Sequence, residues 1–180
     1  MKKAAFLDRD GVINRKAPEG QYVTRWEDMD FLPGACEAIR LLNEAGYFVV
    51  VVSNQRCVAK GLIMASDLES MHARMRRYFE AIGAKIDAIY YCPHETQPPC
   101  ACRKPQPGML LSAARDHLLD LPASWMIGDS AQDVEAGRRA GCRTIRLTSE
   151  GSSDDEGADV VASSLLSATR KILEESDSAG

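Results

Sequence analysis

Apolar residues follow two rhythms along this chain. AAFLD (4–8), YFVVVVSN (47–54), IDAIYY (86–91), SWMIGD (124–129), TIRLT (144–148) and VVA (160–162) are brief apolar runs that read as strands. Between them the apolar positions recur every three or four residues, the mark of helices with one buried face. PGACEAIRLLNEAG (33–46) opens with Pro and closes with Gly, the expected helix punctuation. A second helix is expected from Ser66, where Ser66 and Glu69 have capping-box spacing; Leu68, Met71, Met75, Tyr78, Phe79 and Ile82 then share one face. Further helices are predicted over 107–118, 131–140 and 163–175. Strand and helix alternate, so the fold class is α/β: a Rossmann-like parallel sheet with helices on both faces. Ligands of such sheets gather beyond the carboxyl ends of the strands. Asp8, Ser53, Cys92 and Asp129 each stand where a predicted strand stops, so all four are expected along one rim.

The chain of 180 residues is the size of one domain, expected over 1–175 with 176–180 (SDSAG) as a disordered tail. A net charge of −4 argues against nucleic acid or an anionic membrane as partner. No apolar run approaches membrane-spanning length, and MKKAAFLDRDGV reaches Asp8 before a signal-peptide core could form. A cytoplasmic monomer is the expectation.

Six cysteines are unevenly spread. Cys36 and Cys142 read as small buried hydrophobes. Cys92-x-His94 and Cys100-x-Cys102 place four metal-ligand types within eleven residues, the Cys₃His set of a closed tetrahedral zinc site. Such a set leaves no position open for water, so the zinc is read as structural. In FLDRDG, Asp8 and Asp10 are two apart and can point the same way at a strand end. Close carboxylates repel unless a cation intervenes, which suits a nucleophile paired with a general acid and aided by Mg²⁺. Ser53 and Asn54 can donate to phosphate oxygens. Asp129 can complete the Mg²⁺ set, and Asp133 reads equally as functional or as a helix-start charge. Lys104, two residues after a zinc ligand, can neutralise a phosphoryl group in transfer. Taken singly each motif also has an ordinary reading, as a polar strand-to-turn junction or a loop turn. His72 and His117 read as surface or boundary residues.

Together, DRDG, VVVVSNQ, CRKP and IGDSAQD stand in the order of the four motifs of the haloacid dehalogenase superfamily of phosphohydrolases, which the chain resembles from Phe6 to about Gly141. FLDRDGVIN, YYCPH and CACRKPQPGMLL narrow the resemblance to the heptose bisphosphate phosphatase and histidinol-phosphatase branch. The resemblance implies that Asp8 attacks phosphorus and that Asp10 serves as acid, then base. It implies an Mg²⁺ held by Asp8, the Asp10 main-chain carbonyl and Asp129. Ser53 and Lys104 would stabilise the phosphoryl group; Tyr22, Asn54, Gln55, Arg56, Arg103 and Lys104 would bind the substrate, a small phosphorylated sugar. It implies little or no cap domain, the site being shaped by a strand–turn segment near 15–26 and by the zinc loop held by Cys92, His94, Cys100 and Cys102.

RCVAKG (56–61) departs from the small, Gly-containing stretch usual after SNQ, which leaves Arg56 and Lys60 either on a second phosphate or solvated. Cys57 is a candidate for oxidation. Three readings of the function stand at this point: a phosphatase of either substrate class, a phospho-accepting receiver, and a zinc-organised module without turnover. The receiver is disfavoured because its acceptor belongs on a later central strand, where this chain has Ser53.

Overall fold

The computed structural model describes residues 1–148 and 155–178. Six strands form one wholly parallel sheet: β1 (Ala4–Leu7), β2 (Phe48–Asn54), β3 (Ala88–Cys92), β4 (Trp125–Gly128), β5 (Arg143–Leu147) and β6 (Val160–Ala162), in the order β3-β2-β1-β4-β5-β6. The chain leaves β1 towards one edge and returns to the other side of β1 as β4, which puts a switch in strand order at the β1–β4 junction. Ligand crevices form at such junctions.

The alternation within each strand sorts the core into two layers. Ala5, Leu7, Val49, Val51 and Ile127 pack against α1 (Ala35–Glu44), α2 (Ala65–Ala81) and α5 (Leu165–Ser178). Ala4, Phe6, Val50, Val52 and Met126 pack against α3 (Gly108–His117) and α4 (Ala131–Ala140). Both faces are covered, which is why VVVV carries no polar alternation: Val49 to Val52 are all fully buried. Each such side chain stabilises the fold by about 1.5–3 kcal/mol relative to exposure. Among the described residues no separate cap domain stands over the sheet.

Several sequence expectations shift. The helix expected to be capped by Ser66 in a Ser66–Glu69 box is capped two residues earlier, with Met64 as its N-cap and no side-chain cap bond. Ser66 lies inside the first turn, where its carbonyl accepts from the Ser70 hydroxyl. Tyr78 and Ile82 are exposed, and His72 takes their place in the buried stripe beside Leu68, Met71, Met75 and Phe79. α5 runs to Ser178, so 176–178 continue the helix rather than forming a tail; 179–180 lie outside the described residues. The segment near 15–26 holds no strand, only a bridge at Asn14 before it and a 3₁₀ turn over Trp26–Asp28. Cys142 is buried, as expected, whereas Cys36 is half-buried.

Candidate active site

The rim predicted from the strand ends is present. The Asp8 amide donates to the Ile127 carbonyl at 3.0 Å, which ties the residue after β1 to β4 at the switch point. Gly11 then turns the chain at φ +92°, and a Cβ there would fall 2.3 Å from Asp129 Oδ2. Only glycine lets the first acidic loop approach Asp129 this closely. Gly128 does the same for Asp133, whose Cβ would lie 2.1 Å from an added Cβ.

A cavity of about 310 Å³ opens above these residues, with Asp8, Asp10, Ser53, Asp129 and Lys104 at its floor. Lys104 Nζ donates to Asp8 Oδ1 at 2.8 Å and to the Val52 carbonyl at 2.9 Å, and lies 2.5 Å from Asp133 Oδ1. Burial alone would depress the lysine, but Asp133 and Asp8 hold its pKa above the ordinary range. Burial raises Asp8 to about 7, opposed by Lys104 and reinforced by Asp133. Asp133 also closes a capping box with Ser130: its Oδ2 accepts from the Ser130 amide and hydroxyl at 3.1 and 2.6 Å. The helix-start reading of Asp133 is thus met by Oδ2, while Oδ1 faces Lys104.

Asp10 is fastened by residues that motif reading left out. Arg9, fully buried, donates to Asp10 Oδ1 from Nε at 3.2 Å and to Oδ1 and Oδ2 from one terminal nitrogen at 3.0 Å. Its other terminal nitrogen is 3.1 Å from His72 Nε2. Asn14 and Gln55 donate to the same carboxylate at 2.9 and 3.0 Å. Burial works to raise the Asp10 pKa, yet the Arg9 charge and these hydrogen bonds hold it below the usual value. Burial, helped by Arg9, pushes His72 down to about 3, so the imidazole is neutral and can accept from the guanidinium. The acid-flanked arginine of DRD was the available signal for Arg9. Nothing local marked His72, which reaches Arg9 from sixty-three residues away.

The remaining expected site residues divide. Ser53, Asn54, Gln55, Tyr22 and Arg103 line the cavity. Three of them also brace it: Asn54 exchanges two 3.0 Å bonds with the Lys104 backbone, and Gln55 donates to Ser53 Oγ at 2.8 Å as well as to Asp10. Arg56 is the exception, since it pairs with Glu95 at 2.5 Å and does not line the cavity. Lys60 lies over the Tyr22 ring, 5.4 Å from its centroid. Cys57 is fully buried, and burial pushes its thiol up, which removes the ground for reading it as oxidisable.

Two clusters can hold metal ions. Asp8, Asp129 and Asp133 offer carboxylate oxygens within 4.8 Å of one another, and Asp129 Oδ1 is buried without a hydrogen-bond partner. Hard oxygen donors with an unsatisfied buried oxygen among them fit Mg²⁺. Cys92, His94, Cys100 and Cys102 converge equally closely, with Sγ–Sγ separations of 3.2 to 3.5 Å and His94 Nδ1 3.2 Å from Cys102 Sγ. These are near the edges of a tetrahedron with about 2.3 Å metal–sulfur bonds. The thiols compete for ionisation. Against the effect of burial, hydrogen bonds from the Arg103 backbone and the neighbouring thiols draw Cys100 down to about 6, while burial and the same neighbours push Cys102 up to about 12. A bound dication such as Zn²⁺ would relieve that conflict by favouring thiolates.

Comparison with known proteins agrees with this geometry. A family model described as HAD-hydrolase-like matches residues 101–168. A D-glycero-beta-D-manno-heptose-1,7-bisphosphate 7-phosphatase of Rhodopseudomonas palustris is 41% identical over 83% of this chain and 85% of its own. A D-glycero-alpha-D-manno-heptose-1,7-bisphosphate 7-phosphatase of Mycobacterium bovis is 38% identical over 79% of this chain and 77% of its own. The crystal structure of the D,D-heptose 1,7-bisphosphate phosphatase of B. bronchiseptica, complexed with magnesium and phosphate, superposes with a TM-score of 0.85 at 35% identity, covering 96% of this chain and 99% of the other. With its acids at the β1–β4 switch and its cysteine loop beside them, the chain belongs to the haloacid-dehalogenase-like hydrolases, in the branch that holds the heptose bisphosphate phosphatases.

Proposed function

We propose that the protein is an Mg²⁺-dependent phosphatase that removes the C7 phosphate of D-glycero-D-manno-heptose 1,7-bisphosphate through an aspartyl-phosphate intermediate. The observation that carries this reading is Asp8 at the central switch point, with Lys104 2.8 Å away and Asp10 two residues on, in a chain 41% identical to an enzyme named for that reaction.

Asp8 Oδ attacks phosphorus, and the bond from phosphorus to the C7 oxygen breaks. Asp10 delivers a proton to that oxygen. In the resting site Arg9, Asn14 and Gln55 favour the ionised carboxylate, and a phosphate dianion arriving beside it draws the pKa back up. The deprotonated Asp10 then takes a proton from the water that hydrolyses the phospho-enzyme, returning Asp8 as a carboxylate. Ser53 and Lys104 hold the phosphoryl oxygens, with Lys104 kept cationic by Asp133 and Asp8. Arg103 contributes to substrate recognition. Asp8, the Asp10 carbonyl and Asp129 would hold Mg²⁺, which supplies charge neutralisation of the phosphoryl group. Cys92, His94, Cys100 and Cys102 would hold a structural zinc that fixes Arg103 and Lys104. Thiolates kept reduced suit a cytoplasmic setting, where the protein would act as a monomer.

The test is phosphate release under Mg²⁺ from both anomers of the heptose bisphosphate and from histidinol phosphate. Both anomers are needed because the relatives' names include both. The expected result is a higher kcat/KM for one of the bisphosphates; a preference for histidinol phosphate would overturn the assignment.

A further inference from the structure

Among the described residues, three cationic side chains line the cavity: Lys16, Arg103 and Lys104. Lys104 is already committed, since its ammonium contacts Asp8, Asp133 and the Val52 carbonyl and is 3% exposed. It can serve the phosphoryl group that is transferred, but it cannot turn to a second one. A bisphosphate carries a second dianion, which must lie nearer the cavity mouth than the phosphate over Asp8. Of the cations that line the cavity among the described residues, Arg103 and Lys16 remain to meet it.

Arg103 stands on the wall built by the cysteine loop and makes one long bond, 3.4 Å, to the His94 carbonyl. Lys16 comes from the loop that supplies Lys16 to Val23 to the cavity lining. The loop's start is fixed, because the Arg15 amide donates to the Asp30 carbonyl at 2.7 Å. The Lys16 side chain, by contrast, is 61% exposed, and its ammonium reaches down to Asp129 Oδ2 at 3.1 Å. That oxygen belongs to the carboxylate group suited to Mg²⁺. With a divalent ion held by Asp129, the ammonium would lose the negative charge that holds it there and would be repelled. A long, exposed side chain on a fixed loop start then has two anionic destinations within the cavity, Glu19 of its own loop and the outer part of the substrate, and a phosphate dianion attracts it more strongly than a single carboxylate.

We propose that Lys16 changes partners: it rests on Asp129 until the divalent ion binds, and then engages the second phosphate of a bisphosphate substrate. Resting on the phosphatase reading above, this makes Lys16 a determinant of bisphosphate over monophosphate. It also couples metal loading to substrate recognition, because the residue reaches the second phosphate only when the ion has released it.

The test uses the full-length Lys16→Met protein, which keeps the apolar stem and loses the charge, with Lys16→Arg as the conservative control. Titration of Mg²⁺ into the substrate-free protein by calorimetry should show several-fold tighter binding for Lys16→Met than for wild type. Heptose 1,7-bisphosphate and heptose 7-phosphate are then compared as substrates. Lys16→Met should lower kcat/KM for the bisphosphate about ten- to a hundredfold relative to the monophosphate, mainly through KM, the range of a hydrogen bond to a charged group. Lys16→Arg should retain the preference. Unchanged Mg²⁺ affinity in Lys16→Met, or equal losses on both substrates, would overturn the proposal. Wild-type protein with no preference for the bisphosphate would instead overturn the function on which the proposal rests, so the two failures are told apart.

Discussion

Asp8, Asp129 and Asp133 gather hard oxygen donors on the floor of an open cavity at the sheet's central switch point. Cys92, His94, Cys100 and Cys102 gather soft donors in a loop at the end of the edge strand β3. The first cluster has a buried oxygen without a partner and two ammonium groups against it, from Lys104 and Lys16. The second has four donors, enough to close a tetrahedron with nothing left over. One is therefore suited to an ion that meets substrate, the other to an ion that holds chain. They are linked by two residues of sequence, from Cys102 to Lys104, and by the paired bonds between Asn54 and the Lys104 backbone.

The contrast is broken most directly by changing one donor in each cluster. Asp8→Asn should lower kcat on the order of 10⁴-fold or more while the melting temperature stays close to wild type. Cys100→Ser should do the reverse, lowering the melting temperature by several degrees and leaving measurable turnover in the folded protein. Calorimetric melts and phosphate release on the two variants check both. If Cys100→Ser were as inactive as Asp8→Asn while fully folded, the brace account would be wrong.

Metal removal sharpens the same division. Depleting Mg²⁺ should stop turnover without unfolding the protein, and adding it back should restore activity. A zinc-selective chelator should lower the melting temperature, and a melt unaffected by it would remove the loop's structural role.

Arg9 tests how far the active cluster depends on its support. Arg9→Met removes one partner of a buried ion pair, which costs about 3–5 kcal/mol where the other charge is left uncompensated. Asp10 keeps Asn14 and Gln55, so the expected loss lies towards the low end, seen as a lower denaturant midpoint. Turnover should fall as well, because Asp10 loses its bidentate clamp.

These supports mark the limit of what the sequence made legible. The acids at strand ends were readable because an apolar run stops at a polar residue, as β1 does after Leu7 at Asp8 and β4 after Gly128 at Asp129. Helix α4 and strand β6 lie where their patterns placed them. The capping signal was less reliable. Ser66 and Glu69 had the spacing but fell inside a helix, while Ser130 and Asp133 formed the box. Arg9 and His72 were missed because an arginine between two aspartates looks solvated until a distant helix buries it. Arg56 illustrates the converse: a loop cation near a phosphate motif pairs here with Glu95 and stands outside the cavity lining. Lys16 sits in an exposed stretch with no periodicity to read, and only the fold brings it to Asp129.

The effect absent at neutral pH and seen only on acidification concerns His72. His72 has its pKa lowered to about 3 in the folded protein from an ordinary 6.5. Between those values the unfolded chain binds the extra proton, so stability is full above about 6.5 and declines as pH falls towards 3. His72→Gln, which can still accept from Arg9, should flatten that part of the stability–pH curve measured by urea unfolding. An unchanged slope would mean that His72 is not the group responsible.

The division between the two clusters rests on Asp8 being the atom that takes the phosphoryl group. Rapid quenching of the enzyme with heptose bisphosphate and Mg²⁺, followed by peptide mass spectrometry, measures this directly. The account predicts one phosphoryl group on the peptide containing Asp8 during turnover, absent from the Asp8→Asn protein. Turnover with the phosphoryl group on another residue, or on none, would contradict it.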